Sequence, residues 1–453
     1  MEVGPVAARA APITSRSEAR RGLGRLSYLL MAVPVLLDYW YVHAFGVNVP
    51  FEDSWNGTLP IVKAIASGHF YFAQLYAPHN ESRTVFPNLI LGIMDSHTQA
   101  NAKFDMYLTA GIMTISLVLL IWLARRSTGL PALLLVPLAF LLFDWVQVEN
   151  LLWAFQLAWM LVVLCLFVSL AAFERRPHPG WFAVAAGAAL VASFSLLQGF
   201  LIWPVGLAYA AVLGWRRGWL AVWGGLGVMA AIAYLQGFGS LGASSGLTYD
   251  LQHPAATSLY LLRLVGGMVP TSHHATAGLL ILGASALVGY LAIRNRIPVT
   301  RLRLPLALWA TGILFDLLVA AGRTQLAAPA SSRYTTFNLL LLAGLYLASV
   351  AILVPAGPWD WNAVASRLHL REWEAAIGLL IVLGTVGTVA LSVPSGLRAG
   401  QAYYSYREHG ALLLRDYHTT SAPSLAQFLF APSGAYVKIW AGWLQSRHWS
   451  VFS

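Results

Sequence analysis

Charge is what this sequence has least of. Of 453 residues only 10% are Asp, Glu, Lys or Arg, and 58% are hydrophobic; soluble globular domains carry about 25% charged residues. That balance excludes a soluble enzyme, a disordered chain and a nucleic-acid-binding domain. Cysteine is nearly missing. Cys165, alone in an apolar run, can form no intramolecular disulfide and has no companions for a metal site. Lysine occurs three times (Lys63, Lys103, Lys438) against 25 arginines, a bias that fits a GC-rich bacterial genome. Alternating segments of ~10 residues are absent, which excludes an outer-membrane barrel. No internal repeat is visible, which weighs against transporters built from duplicated halves.

What is present is a series of long apolar runs. They predict an all-α polytopic membrane protein with about eleven spans, each near the ~20 residues a bilayer requires. The spans are read at 26–46, 104–124, 130–147, 151–173, 180–197, 199–215, 219–238, 276–293, 304–321, 335–355 and 373–393. The net charge of +10 orients them. With the N-terminus in the cytoplasm, the inside set is Arg9, Arg16, Arg20, Arg21, Arg25, Arg125, Arg126, Arg175, Arg176, Arg216, Arg217, Arg294, Arg296, Arg301, Arg303, Arg367 and Arg371. Every short inside loop then holds an arginine pair or cluster, as positive-inside topology requires. The C-terminus falls outside. The first span contains Asp38 and lacks a small-x-small cleavage site, so it reads as an uncleaved signal anchor. The chain thus divides into a basic cytoplasmic N-terminus (1–25), a transmembrane domain (26–393) and an extracytoplasmic tail or cap (394–453). Outer loops at 47–103 and 239–275 interrupt the middle part.

Nearly all unusual polar residues lie in outer loops or at outer span ends. Glu52 and Asp53, in Phe51-Glu-Asp-Ser-Trp55, follow Pro50, which limits continuation of the first span. Asp53 or Ser54 can cap a helix over 55–67; the pair of acids can also take a proton or hold a divalent cation. His79-Asn80-Glu81-Ser82-Arg83 is either a solvated turn or a site in which Arg83 and His79 hold an anion and Glu81 orients one of them. Residues 85–100 predict an interfacial amphipathic helix with Phe86, Leu89, Ile90, Ile93 and Met94 as its apolar face. Gln147, Glu149, Asn150 and then Gln156 are more polar groups than a turn between spans needs, and Gln198 repeats the pattern. Arg323 and Ser332-Arg333-Tyr334 bracket a later outer loop, and with Arg83 they make three outer arginines suited to phosphate oxygens. Within spans, Asp38 and Asp316 each need a partner or a cavity; Asp316 can pair with Arg323 or relay protons.

This constellation suits transfer of a sugar from a lipid phosphate. Arginines hold the phosphate, a carboxylate deprotonates the acceptor hydroxyl, and lipid-embedded walls admit an isoprenoid chain. The layout resembles the C-superfamily of membrane glycosyltransferases (GT-C), in the form of an uncharacterised bacterial member. The residues that carry the resemblance are Glu52 and Asp53 directly after the first span, with His79-Asn-Glu-Ser-Arg83, Gln147-Val-Glu-Asn150 and Ser332-Arg-Tyr334. It covers about 46–340; no second acidic pair in a later outer loop accompanies it. The resemblance implies a base or metal ligand in the first loop, with Asp53 first and Glu52 second. It implies Arg83, Arg323 and Arg333 on the donor phosphate, and His79, Asn80, Glu81, Gln147, Glu149, Asn150 and Tyr334 around the substrate. It implies a polyprenyl-phosphate sugar donor and a cell-envelope glycan, lipid or protein acceptor. The expected cofactor is at most a divalent cation, Mg or Mn, on Glu52 and Asp53, and the expected location is a bacterial inner membrane with the site facing outward. No nucleic-acid partner is expected. The competing reading is a transporter or flippase for an anionic envelope precursor, with Asp38 and Asp316 as coupling carboxylates.

Overall fold

Long apolar runs can satisfy their backbone groups in a bilayer only as helices or closed barrels. The computed structural model is helical and describes residues 13–80, 82–237, 243–326, 331–354 and 372–453. The chain begins with α1 (Ile13–Phe45). The first outer stretch folds into α2 (Thr58–Ala66), α3 (Phe72–Tyr76) and α4 (Val85–Thr98). The long α5 (Ala102–Thr128) is started by Asn101, whose side chain accepts from the Lys103 and Phe104 amides, and stopped by Gly129 at φ +70°. A broken stretch follows, α6 (Val136–Leu142) and α7 (Val148–Leu152), before α8 (Leu157–Phe173). Then come α9 (Pro179–Ser193), α10 (Ile202–Val212), α11 (Arg217–Leu235), α12 (Ala243–Gln252) and α13 (Pro254–Gly266). Next are α14 (His274–Arg294), α15 (Val299–Arg323) and α16 (Thr335–Leu353), and finally α17 (Glu372–Arg415), α18 (Ala422–Leu429) and α19 (Gly434–Arg447).

Nine helical stretches among the described residues are long and apolar enough to cross a membrane, where the sequence predicts about eleven. The two that fall short are α9 and α10. At 1.5 Å per residue the 15 residues of α9 reach roughly 22 Å, less than a ~30 Å hydrocarbon core. Both begin or end at arginine pairs on one face, so their junction at Leu197–Leu201 lies sunk below the other face. The stretch 143–156 is a second sunken, irregular segment. Two of its polar groups bond locally: Asp144 Oδ1 accepts from the Val146 amide (2.9 Å), and Gln147 Nε2 donates to the Leu142 carbonyl (2.7 Å). Non-helical backbone at membrane depth is tolerated where protein surrounds it in this way.

The bundle has a centre and a rim. In α8 and α16, 83% of the apolar window is buried; in α11, α14 and α17 the share is 17–22%, which leaves those three to face lipid. Gly312 and Gly344 let α15 and α16 touch backbone to backbone. A Cβ at Gly344 would stand 2.5 Å from the Pro305 carbonyl, and one at Gly312 would stand 2.6 Å from Leu341 Cβ.

In α4 the face turned to protein is Val85, Asn88, Leu91, Gly92 and Asp95, with Gly92 against Ile61 and Ile65. The predicted apolar face is half-exposed: Phe86, Leu89 and Ile90 also pack on the protein, and Ile93 is the most exposed. α17 runs unbroken for 44 residues, about 66 Å, through the expected boundary at 394. Its last turns, with α18 and α19, pack on the first outer loop through Trp55, Leu59 and Val62 against Leu414, Leu429, Val437 and Trp440. The Trp55 indole donates to the Leu429 carbonyl (3.3 Å), and the Ser450 amide donates to the Gln99 carbonyl (2.8 Å).

Candidate functional site

The first loop is pinned on both sides of its acids. Phe51 stands edge-on to Trp153, whose indole donates to the Phe51 carbonyl (3.2 Å), and Trp55 is wholly buried. The three residues between are forced into one 3-10 turn, Glu52–Ser54, and Glu52 adopts φ +49°. A left-handed backbone costs a non-glycine residue roughly 1–2 kcal/mol. Neither Asp53 nor Ser54 caps α2, which starts after Gly57 with no side-chain cap. Both acids therefore keep their side chains for a cavity of about 340 Å³ beside them.

Opposite Asp53 is a tight turn. His79 and Ser82 exchange backbone hydrogen bonds (2.8 and 3.0 Å), and Asn80 takes φ +51°, a conformation asparagine tolerates better than most. The turn holds the His79 ring against Phe155, with Nε2 3.3 Å from Asp53 Oδ1. The approach is close but not aligned as a hydrogen bond. His79 and Asn80 line the cavity; Glu81 lies outside the described residues.

The third wall is the 3-10 turn Ser332–Tyr334. Glu149 fixes it. One carboxylate oxygen accepts from the Ser331 hydroxyl, from the Ser332 hydroxyl (2.9 Å) and from the Arg333 amide (2.8 Å). Asn150 Nδ2 donates to the Arg333 carbonyl (2.8 Å) and to the Thr336 hydroxyl (2.7 Å), which in turn donates to Gln147. These bonds aim Arg333 at the acids, with Nη1 3.7 Å from Glu52 Oε1. Arg323 and Tyr334 line the cavity beside it.

The structure therefore brings Glu52, Asp53, His79, Asn80, Arg323, Arg333 and Tyr334 together. It places Gln147, Glu149 and Asn150 behind the wall as supports. Arg83 is elsewhere: 2% exposed, it donates to the carbonyls of Tyr234 (2.7 Å), Gln236 and Tyr76. It closes the carbonyl end of α11, a task suited to a cation because those carbonyls carry the negative end of the helix dipole. Asp38 and Asp316 are buried in their spans and do not line the cavity. Gln156 and Gln198, from the two sunken segments, and Trp159, from the start of α8, do line it.

Arg407, on α17, carries no signal in the sequence because it falls in what reads as a polar tail. Its guanidinium is buried 4.3 Å from the centre of the Phe51 ring and donates to the Leu152 carbonyl. Its Nε and Nη2 have no hydrogen-bond partner among the described residues.

Partial burial raises the pKa of Glu52 above the ordinary carboxylate value; Arg333 opposes that shift, while Asp53 and Glu149 add to it. The arrangement offers a carboxylate beside an imidazole for proton transfer, and guanidinium groups across the cavity for an oxyanion. The described residues alone do not make a three-ligand cation site. Among the described residues no three His, Cys, Asp or Glu side chains converge, and Glu52 and Asp53 already face Arg333 and His79.

No family model and no curated protein matches the sequence. Among solved structures the chain is similar to an oligosaccharyltransferase of Archaeoglobus fulgidus, described as a complex with Zn and sulfate. The TM-score is 0.46 and the identity 14%, over 86% of this chain and 55% of that one. The chain spans about half the length of that protein.

Proposed function

We propose that the protein is a membrane glycosyltransferase of the GT-C kind, moving a sugar from a polyprenyl-phosphate donor to an acceptor hydroxyl of the cell envelope. One observation carries the reading: a cavity at the end of the spans holds two carboxylates on one wall and two arginines on the others. In the step we infer, Asp53 takes the proton of the acceptor hydroxyl, and His79 holds the carboxylate in place. The acceptor oxygen bonds to the anomeric carbon as the carbon–oxygen bond to the donor phosphate breaks. Arg333 and Arg323 stabilise the charge on the departing lipid phosphate. Gln156, Gln198 and Asn80 supply hydrogen bonds for sugar hydroxyls, and Glu52 tunes the field between Asp53 and Arg333. The cavity faces outward from a bacterial inner membrane, with residues 1–25 in the cytoplasm and the residues after 394 outside, because the arginine pairs of the short loops fall at the opposite end of the spans. Transporter chemistry gains no comparable support, since Asp38 and Asp316 are away from the cavity.

The test is transfer by purified protein in lipid nanodiscs, using a panel of radiolabelled polyprenyl-phosphate sugars with cell-envelope extract as acceptor. Release of polyprenyl phosphate by the wild type and not by Asp53→Asn supports the reading. Equal release by both removes Asp53 from the chemistry. An EDTA arm asks whether a cation brought by the donor phosphate takes part.

A further inference from the structure

At the end of the bundle opposite the acids lies a second cavity, of about 350 Å³. It forms where α5, α8 and α10 stop and where the segment leading to α9 begins. Its lining is unlike that of the first. Arg126, Arg175 and Arg176 surround it, with Phe173, Leu213 and Trp215 as the apolar part. The one acid in the lining, Glu174, is already neutralised from behind by Arg303 (2.6 Å) and bonded by Arg126 (3.0 Å) and the Tyr209 hydroxyl (2.6 Å). Arg175 is held near two indoles, 5.1 Å from the Trp122 ring centre and 5.4 Å from that of Trp181. Cation–π contact fixes such a guanidinium without consuming its N–H donors. Neither Arg175 nor Arg176 makes an ion pair with any described residue.

We infer that this cavity is a binding site for the phosphate headgroup of an anionic phospholipid of the inner leaflet. Three features select that ligand. The cavity lies where four apolar helices meet the membrane surface, so a headgroup reaches it while the acyl chains stay in the bilayer. Its positive charge exceeds what Glu174 can balance. Trp122 and Trp181, the latter half in the open, form the aromatic edge that interfacial sites present to headgroups. A soluble phosphate would meet the same arginines without the apolar floor of Phe173 and Leu213.

The inference is tested by native mass spectrometry of the full chain released from mixed vesicles of dioleoyl phosphatidylglycerol and dioleoyl phosphatidylcholine. The wild type should retain phosphatidylglycerol in preference to phosphatidylcholine, and Arg175→Gln/Arg176→Gln should lose that preference by on the order of tenfold. Arg125→Gln is the control, because Arg125 is on the same face but directed to the Tyr28 hydroxyl instead of the cavity. Equal losses in the control and the double variant would reduce the effect to general surface attraction and overturn the site. So would unchanged retention by the double variant. Glycerol phosphate is the chain-free probe: if it displaces the lipid at equal concentration, the lipid assignment fails.

Discussion

Glu174 and Glu52 lie at opposite ends of the bundle, and their surroundings differ in kind. Burial works to raise the pKa of Glu174, but hydrogen bonds from Arg303, Tyr209 and Arg126 outweigh it and hold the group below its ordinary value. Its backbone is helical and unstrained. Glu52 has one loose contact, to Arg333 at 3.7 Å, a left-handed backbone and a pKa raised by burial. A charge whose every lone pair is answered holds helices together. A charge left half-answered on a strained turn is held for something not yet bound.

The largest effect should come from Asp53→Asn. Loss of a positioned base costs about 10²–10⁴-fold in rate, and the turnover assay should show this with the melting temperature unchanged. Glu174→Ala should do the reverse. It strands Arg303 near the membrane surface, where breaking a buried pair costs about 3–5 kcal/mol, read as a collapse in yield and melting temperature in detergent. If Glu174→Ala melts like wild type, the contrast between the two sites is broken. Glu149→Gln falls between them, since it loosens the turn that aims Arg333. Displacement of a substrate-holding group by about 1 Å can cost up to 10²-fold, and kcat should drop with only a small change in melting.

The smallest effect is the pH dependence at Glu52. Its folded pKa is raised above the ordinary 4.5, so the native state holds the proton more tightly than the unfolded chain. Stability is therefore lost as pH rises above 4.5 and through the folded pKa. Glu52→Gln removes that loss. The variant should melt slightly higher than wild type at pH 7, with the difference shrinking below pH 4.5. A difference that grows on acidification would contradict the shift.

The site was partly legible because charge is so scarce in this chain. Glu52, Asp53, His79, Arg323 and Arg333 stand out at outer span ends, and the fold gathers them. Arg83 has the same local look, yet its partners are the last carbonyls of a helix about 150 residues later. Spacing contains no trace of that. Gln147 and Asn150 read as ligand-binding amides because a sequence does not show that residues 331–336 will lie on them. Arg407 was hidden by a boundary: hydropathy ends the last span near 393, whereas α17 continues as a helix because its outer half packs on the loop instead of on lipid. The shortness of α9 and α10 was not visible in apolar runs that continue across their junction.

The cap has a consequence for how the protein is made. The turn bearing Glu52 and Asp53 is wedged by Trp55, whose indole bonds residue 429, and α1 is anchored by the Tyr41 hydroxyl on the Gly396 carbonyl (2.7 Å). Those partners leave the ribosome more than 350 residues later than the loop they lock. Throughout synthesis that turn is therefore unfinished, and the apolar faces of Leu59 and Val62 wait uncovered. The packing of that turn is complete only once the last segment has been made, so a chain truncated before residue 396 should leave the turn unlocked.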